Sequence, residues 1–276
     1  MRAHSHGLGG AVTESPTGLD ERLAMAERLA RLAGDELMRW FGRTLEFDRK
    51  GAVDLVTDAD RAAEALIARG IAEAFPDDDF LGEETGASGR GDAAWRWVVD
   101  PLDGTTNFVH GLPRFAVSIG AWFSGEPTIG VIAAPAEGHV YVAATGRGAT
   151  KNGLPMRVSS TEAMGDALLA TGFPYDRRDT VDALLRPLRA ALLAGRGIRR
   201  MGAAALDLVD VARGAFDGYW EPRLSPWDVA AGVVLVREAG GVVTGFGGAP
   251  FDPARPQIVA SNGLLHAALL EVLDGA

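Results

Sequence analysis

Cysteine is absent from this 276-residue chain, which excludes disulfides, thiolate zinc sites and cysteine nucleophiles and leaves oxygen and imidazole as the available metal ligands. Oxygen ligands favour hard cations. No run of 18 or more apolar residues occurs, and the opening MRAHSHGLGGAVTESPTG lacks the continuous apolar segment of a signal peptide, so a soluble cytoplasmic protein is expected. Basic charge is in deficit. A formal net charge of -10 argues against nucleic acid or an anionic membrane as partner, because both are polyanions. An acidic protein that handles an anionic substrate needs bound cations at the site. Apolar residues are plentiful at 47%, enough to build the core of one large domain or of two packed halves.

Residues 1 to about 18 are polar and aperiodic and read as a disordered tail; residues 19–276 read as a single domain, with no repeat and no dividing linker. Leu19, Leu23, Ala26, Leu29, Ala33, Leu37 and Trp40 recur at helical spacing. A second helix is expected from Asp58 to Ala74, with Ala62, Leu66, Ile67, Ile71 and Phe75 inward and Pro76 ending it. FAVSIGAWF, PTIGVIAAP and HVYVAAT, between Phe115 and Lys151, read as an antiparallel meander. The C-terminal half alternates strands near Ala167–Thr171, Phe216–Glu221, Val242 and Ile258 with helices near Thr180–Ala194, Ala203–Ala212, Pro226–Ala239 and from Leu264. Layered helices and sheets, an α+β class, follow from that alternation.

The stretch WVVDPLDGTTNF carries the chemistry. Trp97, Val98 and Val99 read as a strand entering the interior, where a carboxylate at the end, Asp100, is costly unless paired or bound to a cation. Pro101 fixes its own φ and biases Asp100 towards an extended conformation, so Asp100 and Asp103 can point into one pocket. Gly104 permits a turn and a close approach to the backbone. Thr105, Thr106 and Asn107 read as the first turn of a short helix, whose amides suit a phosphate. An Asp N-cap after a strand is the plainer alternative.

Further acids cluster elsewhere: Asp54, Asp58 and Asp60 in DLVTDADRAAE, Glu83 and Glu84 in FLGEET, and Asp228 in SPWDVAAG. Thr57 to Asp60 and Ser225 to Asp228 also have capping-box spacing. If these acids converge, each close pair at ~4 Å costs roughly 4 kcal/mol at an effective dielectric near ~20, a repulsion that divalent cations remove.

WVVDPLDGTTNFVH and WDVAAGVVLVREAGG, with DLVTDAD and GEET, resemble the signatures of the inositol monophosphatase family over about Leu19 to the C-terminus. The resemblance implies a layered αβαβα sandwich of the sugar phosphatase type, a homodimer, and magnesium-dependent, lithium-sensitive hydrolysis of a small phosphorylated polyol by direct attack of a metal-activated water. It implies that Glu83, Asp100 and the Leu102 carbonyl hold one magnesium, that Asp100, Asp103 and Asp228 hold a second, and that a third ion shares Glu83. Glu83 and Thr105 would activate the water, with Asp60 hydrogen-bonded to the threonine. The amides of Gly104 and Thr105 would bind phosphate oxygens, with Thr106 beside them. Glu221 matches the residue that contacts substrate hydroxyls, an exposed strand-end acid being its alternative, and the Gly202 to Ala204 turn lies on the same side. Lys50 occupies the position of a flexible loop near the metals, or is a solvated surface lysine. His110 is assigned a structural role. Ala203 departs from the pattern, since many relatives have Ser or Thr there. The DGTTNF form and the spacing from Glu221 to Trp227 favour inositol 1-phosphate; histidinol phosphate, fructose 1,6-bisphosphate and nucleotide 3',5'-bisphosphate are the alternative esters, and a regulatory protein without catalysis is the alternative class.

Overall fold

The structure is a computed structural model that describes residues 16–42, 47–50, 54–174, 177–255 and 257–275. The expected tail lies outside the described residues as far as residue 15, as do the side chains of Lys50 and Asp54. Helices α1 (Leu19–Trp40) and α2 (Asp58–Ala74) flank a hairpin of β1 (Phe47–Lys50) and β2 (Asp54–Thr57). Next come β3 (Asp79–Gly82), β4 (Gly86–Ser88), β5 (Trp95–Asp103), the short α3 (Thr105–Val109), β6 (Ala116–Phe123), β7 (Glu126–Ala134), β8 (His139–Ala144), β9 (Gly148–Lys151) and β10 (Leu154–Met156). The remaining elements are β11 (Leu168–Thr171), α4 (Arg177–Ala194), β12 (Gly197–Arg199), α5 (Ala204–Ala212), β13 (Gly218–Glu221), α6 (Pro226–Glu238), β14 (Val242–Thr244), β15 (Ile258–Ser261) and α7 (His266–Asp274).

Eight strands form one sheet in the order β10-β9-β8-β7-β6-β5-β3-β4, and five form another in the order β12-β11-β13-β15-β14. From β5 to β10 every sequential neighbour is antiparallel, so the expected meander is present and longer at both ends than FAVSIGAWF to HVYVAAT. Its last turn is Asn152-Gly153, both at positive φ (49° and 80°), the conformation a two-residue hairpin needs. In the smaller sheet β11 runs parallel to β12 and β13, whereas β13 and β15 are antiparallel.

The layers follow from which faces are apolar. α1 and α2 bury Leu29, Ala33, Leu37, Ala63 and Ile67 against Trp97, Val99, Val117 and Val131 of the large sheet. The inward face of α2 differs from the expected one: Ala63 and Glu64 are fully buried, while Ala62 and Leu66 are only half-buried. α5 and α6 are buried all round from Ala205 to Ala212 and from Val229 to Val236, as helices between two sheets must be. α4 and α7 cover the outer face of the small sheet through Ala191, Trp220, Leu269 and Leu273. The order is therefore α, β, α, β, α, as the resemblance implied. Among the described residues no helix is long and apolar enough to cross a membrane.

Candidate active site

β5 brings its acids to one side through a break in its own regularity. Side chains alternate along a strand, so Trp97 and Val99 pack under α1 and α2 while Val98 packs with Ala230 and Trp227 of α6. Asp100 shares the α6 side with Val98. Asp103, three residues on, would face away in a regular strand. The pairing with β6 slips between them: Asp100 opposes Ser118, but Asp103 opposes Ala116, so three steps on one strand match two on the other. Pro101, which has no N–H to offer the ladder, sits in this bulge. Both carboxylates consequently line one cleft of about 630 Å³ between the two sheets.

The chain then turns at Gly104, whose φ of 87° and close approach to the Arg114 carbonyl leave no room for a side chain. Asp100 accepts the Leu102 amide at 2.9 Å, and the Thr105 hydroxyl donates to the Leu102 carbonyl at 3.0 Å. The hydroxyl's proton goes to a carbonyl three residues back, within reach at a helix start. Asp60 is buried in the first turn of α2 and acts on Asp100 by its charge, without lining the cleft. His110 is exposed beyond α3 and does not line it either.

Glu83 follows β3, its amide bonded to the Val99 carbonyl at 3.2 Å, and lines the cleft beside Asp100. Its turn is held from below by Glu64, which accepts the amides of Glu84 at 2.8 Å and Thr85 at 2.7 Å. Asp228, in the first turn of α6, accepts the Ser225 amide at 2.6 Å, so the capping geometry and the place in the cleft coexist. Asp103 accepts the amides of Ala204 at 3.1 Å and Ala205 at 2.9 Å. It therefore caps α5 from another strand, where the preceding residue, Ala203, has no hydroxyl to do so. Ala204 lines the cleft with its amide turned to Asp103. Thr106 and Glu221 complete the expected set in the cleft wall.

Sequence reasoning passed over several contributors. Asn107 donates to the Arg114 carbonyl at 2.8 Å and the Met201 carbonyl at 2.9 Å, tying α3 to the turn before α5. Arg114 bridges Asp207 at 2.8 Å and Asp210 at 2.7 Å. Arg200 and Arg223 supply the positive part of the wall. Apart from the bond from Asn107 to Arg114, these hydrogen bonds and ion pairs span more than ninety residues of sequence and have no local pattern.

Burial dominates the electrostatics. It pushes Asp100 well above the usual carboxylate range, and the charges of Glu83, Asp103, Asp228 and Asp60 push the same way. Asp228 is likewise raised by burial, the Ser225 amide opposing the shift and Asp103 and Glu83 adding to it. Asp103 is pushed up only to about 6, because the α5 amides and Arg114 favour its ionised form. Burial lifts Glu221 to about 7 against the pull of the Tyr219 hydroxyl and Arg200, and lifts Asp207 to about 8 against Arg114. Among the described residues no three acidic or imidazole side chains are already gathered tightly enough to hold a cation. The donor chemistry nevertheless fits one: Asp100 is a buried carboxyl whose leading charged neighbours are all acids, with a backbone carbonyl at hand, an all-oxygen set suited to a hard cation.

A layered αβαβα sandwich with carboxylates, a carbonyl and a helix start around one cleft offers ligands for hard cations beside donors for an anion, the chemistry a phosphoric-ester hydrolase needs. The family model described as the inositol monophosphatase family matches residues 18–275. The chain is 44% identical over 260 residues to an inositol-1-monophosphatase of Synechocystis, covering 94% of this chain and 91% of that protein. It is 43% identical over 259 residues to the Nus factor SuhB of Pseudomonas aeruginosa, covering 91% and 95%. It superposes on the structure of an inositol monophosphatase from Anabaena with a TM-score of 0.87 at 42% identity, over 94% of this chain and 98% of that one. The chain belongs to the inositol monophosphatase family.

Proposed function

We propose that this protein hydrolyses inositol 1-phosphate to inositol and phosphate by direct attack of water, with magnesium as cofactor. The observation that carries the reading is the meeting of Glu83, Asp100, Asp103 and Asp228 in one cleft with Glu221 across from them, in a chain of this family. Glu83, Asp100 and the Leu102 carbonyl are the donors for one ion, Asp100, Asp103 and Asp228 for a second, and Glu83 is shared with a third. Bound magnesium supplies charge that offsets the phosphate's own and lowers the pKa of water. Glu83 takes the proton of the attacking water. Thr105, its proton directed to Leu102, offers an oxygen lone pair that orients that water. The amides of Gly104, Thr105 and Thr106 receive phosphate oxygens, and Glu221 accepts a hydroxyl of the polyol. The working form is a cytoplasmic homodimer.

Phosphate release from inositol 1-phosphate, histidinol phosphate, fructose 1,6-bisphosphate and 3'-phosphoadenosine 5'-phosphate tests this. A kcat/KM preference for the inositol ester, abolished by chelator and reduced by lithium, is expected. A preference for another ester keeps the chemistry and replaces the substrate. The likeness to a relative named a Nus factor favours a second reading, a role in a partner complex, and a folded protein silent on all four esters would make that reading primary.

A further inference from the structure

We infer that Tyr219 is a positioning residue that fixes the Glu221 carboxylate, over the bare backbone of Gly172, as the acceptor for a substrate hydroxyl. The inference rests on the reading that the cleft takes a phosphorylated polyol. Positions two apart on a strand share a face, so β13 turns Tyr219 and Glu221 towards the central layer and Trp220 towards the core under α4 and α7. Tyr219 is fully buried, and its hydroxyl donates to Glu221 Oε2 at 2.5 Å. A phenol has one proton to give, so Oε1 is the oxygen left for substrate. Gly172 follows β11, the neighbouring strand, and a methyl group there would overlap both oxygens and the carbon of the Glu221 carboxylate. Its φ lies outside the left-handed region, so the need for glycine at this position is steric, and the three nearest atoms an added methyl would meet all belong to the Glu221 carboxylate.

Arg200, exposed on the cleft wall, is the cation that acts on Glu221. Without the phenol the carboxylate is free to swing towards that guanidinium and away from the place where a polyol hydroxyl must meet it. Tyr219 therefore sets alcohol selectivity while standing outside the reach of substrate.

The test uses the magnesium-loaded protein and two esters, inositol 1-phosphate and p-nitrophenyl phosphate, whose leaving group has no hydroxyl for Glu221. Tyr219→Phe is expected to lower the ratio of their kcat/KM values about tenfold, the equivalent of one charge-assisted hydrogen bond, through a raised KM for the inositol ester. Tyr219→Phe combined with Glu221→Gln should be no less selective than Glu221→Gln alone. An unchanged ratio, or losses that multiply in the double variant, would overturn the inference. Urea unfolding of the same proteins gives a readout that needs no substrate: the two substitutions should be non-additive in stability, and Gly172→Ala should be tolerated in a Glu221→Ala background but not in the wild type. Additive effects in both pairs would also overturn it. A wild type without preference for the polyol ester removes the substrate reading, while the unfolding cycles still decide whether Tyr219 and Gly172 hold Glu221.

Discussion

Gly130 lies in the middle of β7, two strands from β5 and its acids, and replacing it by alanine should damage the cleft. It pairs directly with Gly120 on β6, and the two leave a flat place on the sheet where α6 lies. A Cβ at Gly130 would overlap the Ala231 carbonyl oxygen and stand 3.0 Å from the carbonyl carbon; at Gly120 it would stand 2.7 Å from the Ala230 methyl. The obstacle is helix backbone and not a side chain that can rotate, so α6 must retreat by about 1 Å, and overpacking of this kind costs about 1–3 kcal/mol. Asp228 is one turn upstream of Ala231 on the same helix, and a displacement of about 1 Å at a reacting centre can reduce turnover by about a hundredfold. Urea denaturation and phosphate release, both measured well below the thermal transition, separate the two effects. Gly165→Ala is the control, an exposed glycine with nothing within 4 Å of its added methyl. A Gly130→Ala protein within about 0.5 kcal/mol of wild type and with full kcat would refute the reasoning, because α6 would then not be seated on that glycine.

Asp100→Asn should lower turnover about a hundredfold or more while raising stability in chelator, since it removes a carboxyl whose ionisation burial and its acidic neighbours oppose; reduced stability in chelator would contradict this account. Arg114→Met should cost about 3 kcal/mol in urea denaturation, because it leaves Asp207 buried without a cation while Asp210 keeps Arg213 at 2.6 Å; a neutral effect would show that Asp207 is protonated in the fold. His266 should destabilise the fold in acid. The Thr244 hydroxyl donates to the Gly245 carbonyl at 2.8 Å and must accept from His266 Nε2, so Nδ1 is the acceptor for Ser261. Burial lowers the His266 pKa, so the stability its neutral form contributes is present above about 6.5 and is lost as pH falls through the folded value. His266→Gln should flatten that limb of the stability profile; an identical acid limb would place its origin elsewhere.

Long periodic segments were the legible part of the fold. α1 and α2 carry enough residues for a 3.6-residue pattern to register, while α6 and the strands β6 to β8, buried on nearly every side, register as continuous apolar runs between turn signals. Strands of three or four residues such as β3, β4 and β12 do not, and β9 and β10 could have been found only from the Asn152-Gly153 turn between them. The acids of the cleft were legible because each stands at a strand end or helix start, where a carboxylate needs a reason. What those acids do for one another was not. Asp103 caps a helix a hundred residues away, Glu64 holds the turn that carries Glu83, and Thr105 bonds to the Leu102 carbonyl. Nothing in a local window encodes such pairings, since only the bulge at Pro101 and the seating of α6 bring the partners together.

The order of layers also has a consequence for the making of the chain. Synthesis from the N-terminus completes the eight-stranded sheet at Met156, when α1 and α2 already cover one face but α5 and α6, which cover the other, have not been made. Roughly 80 further residues are needed before α6 is finished, several seconds or more at ~5–20 residues per second. During that interval the nascent protein presents a wide, half-dressed apolar sheet with a glycine-smoothed centre, and Asp228 has not yet joined the cleft.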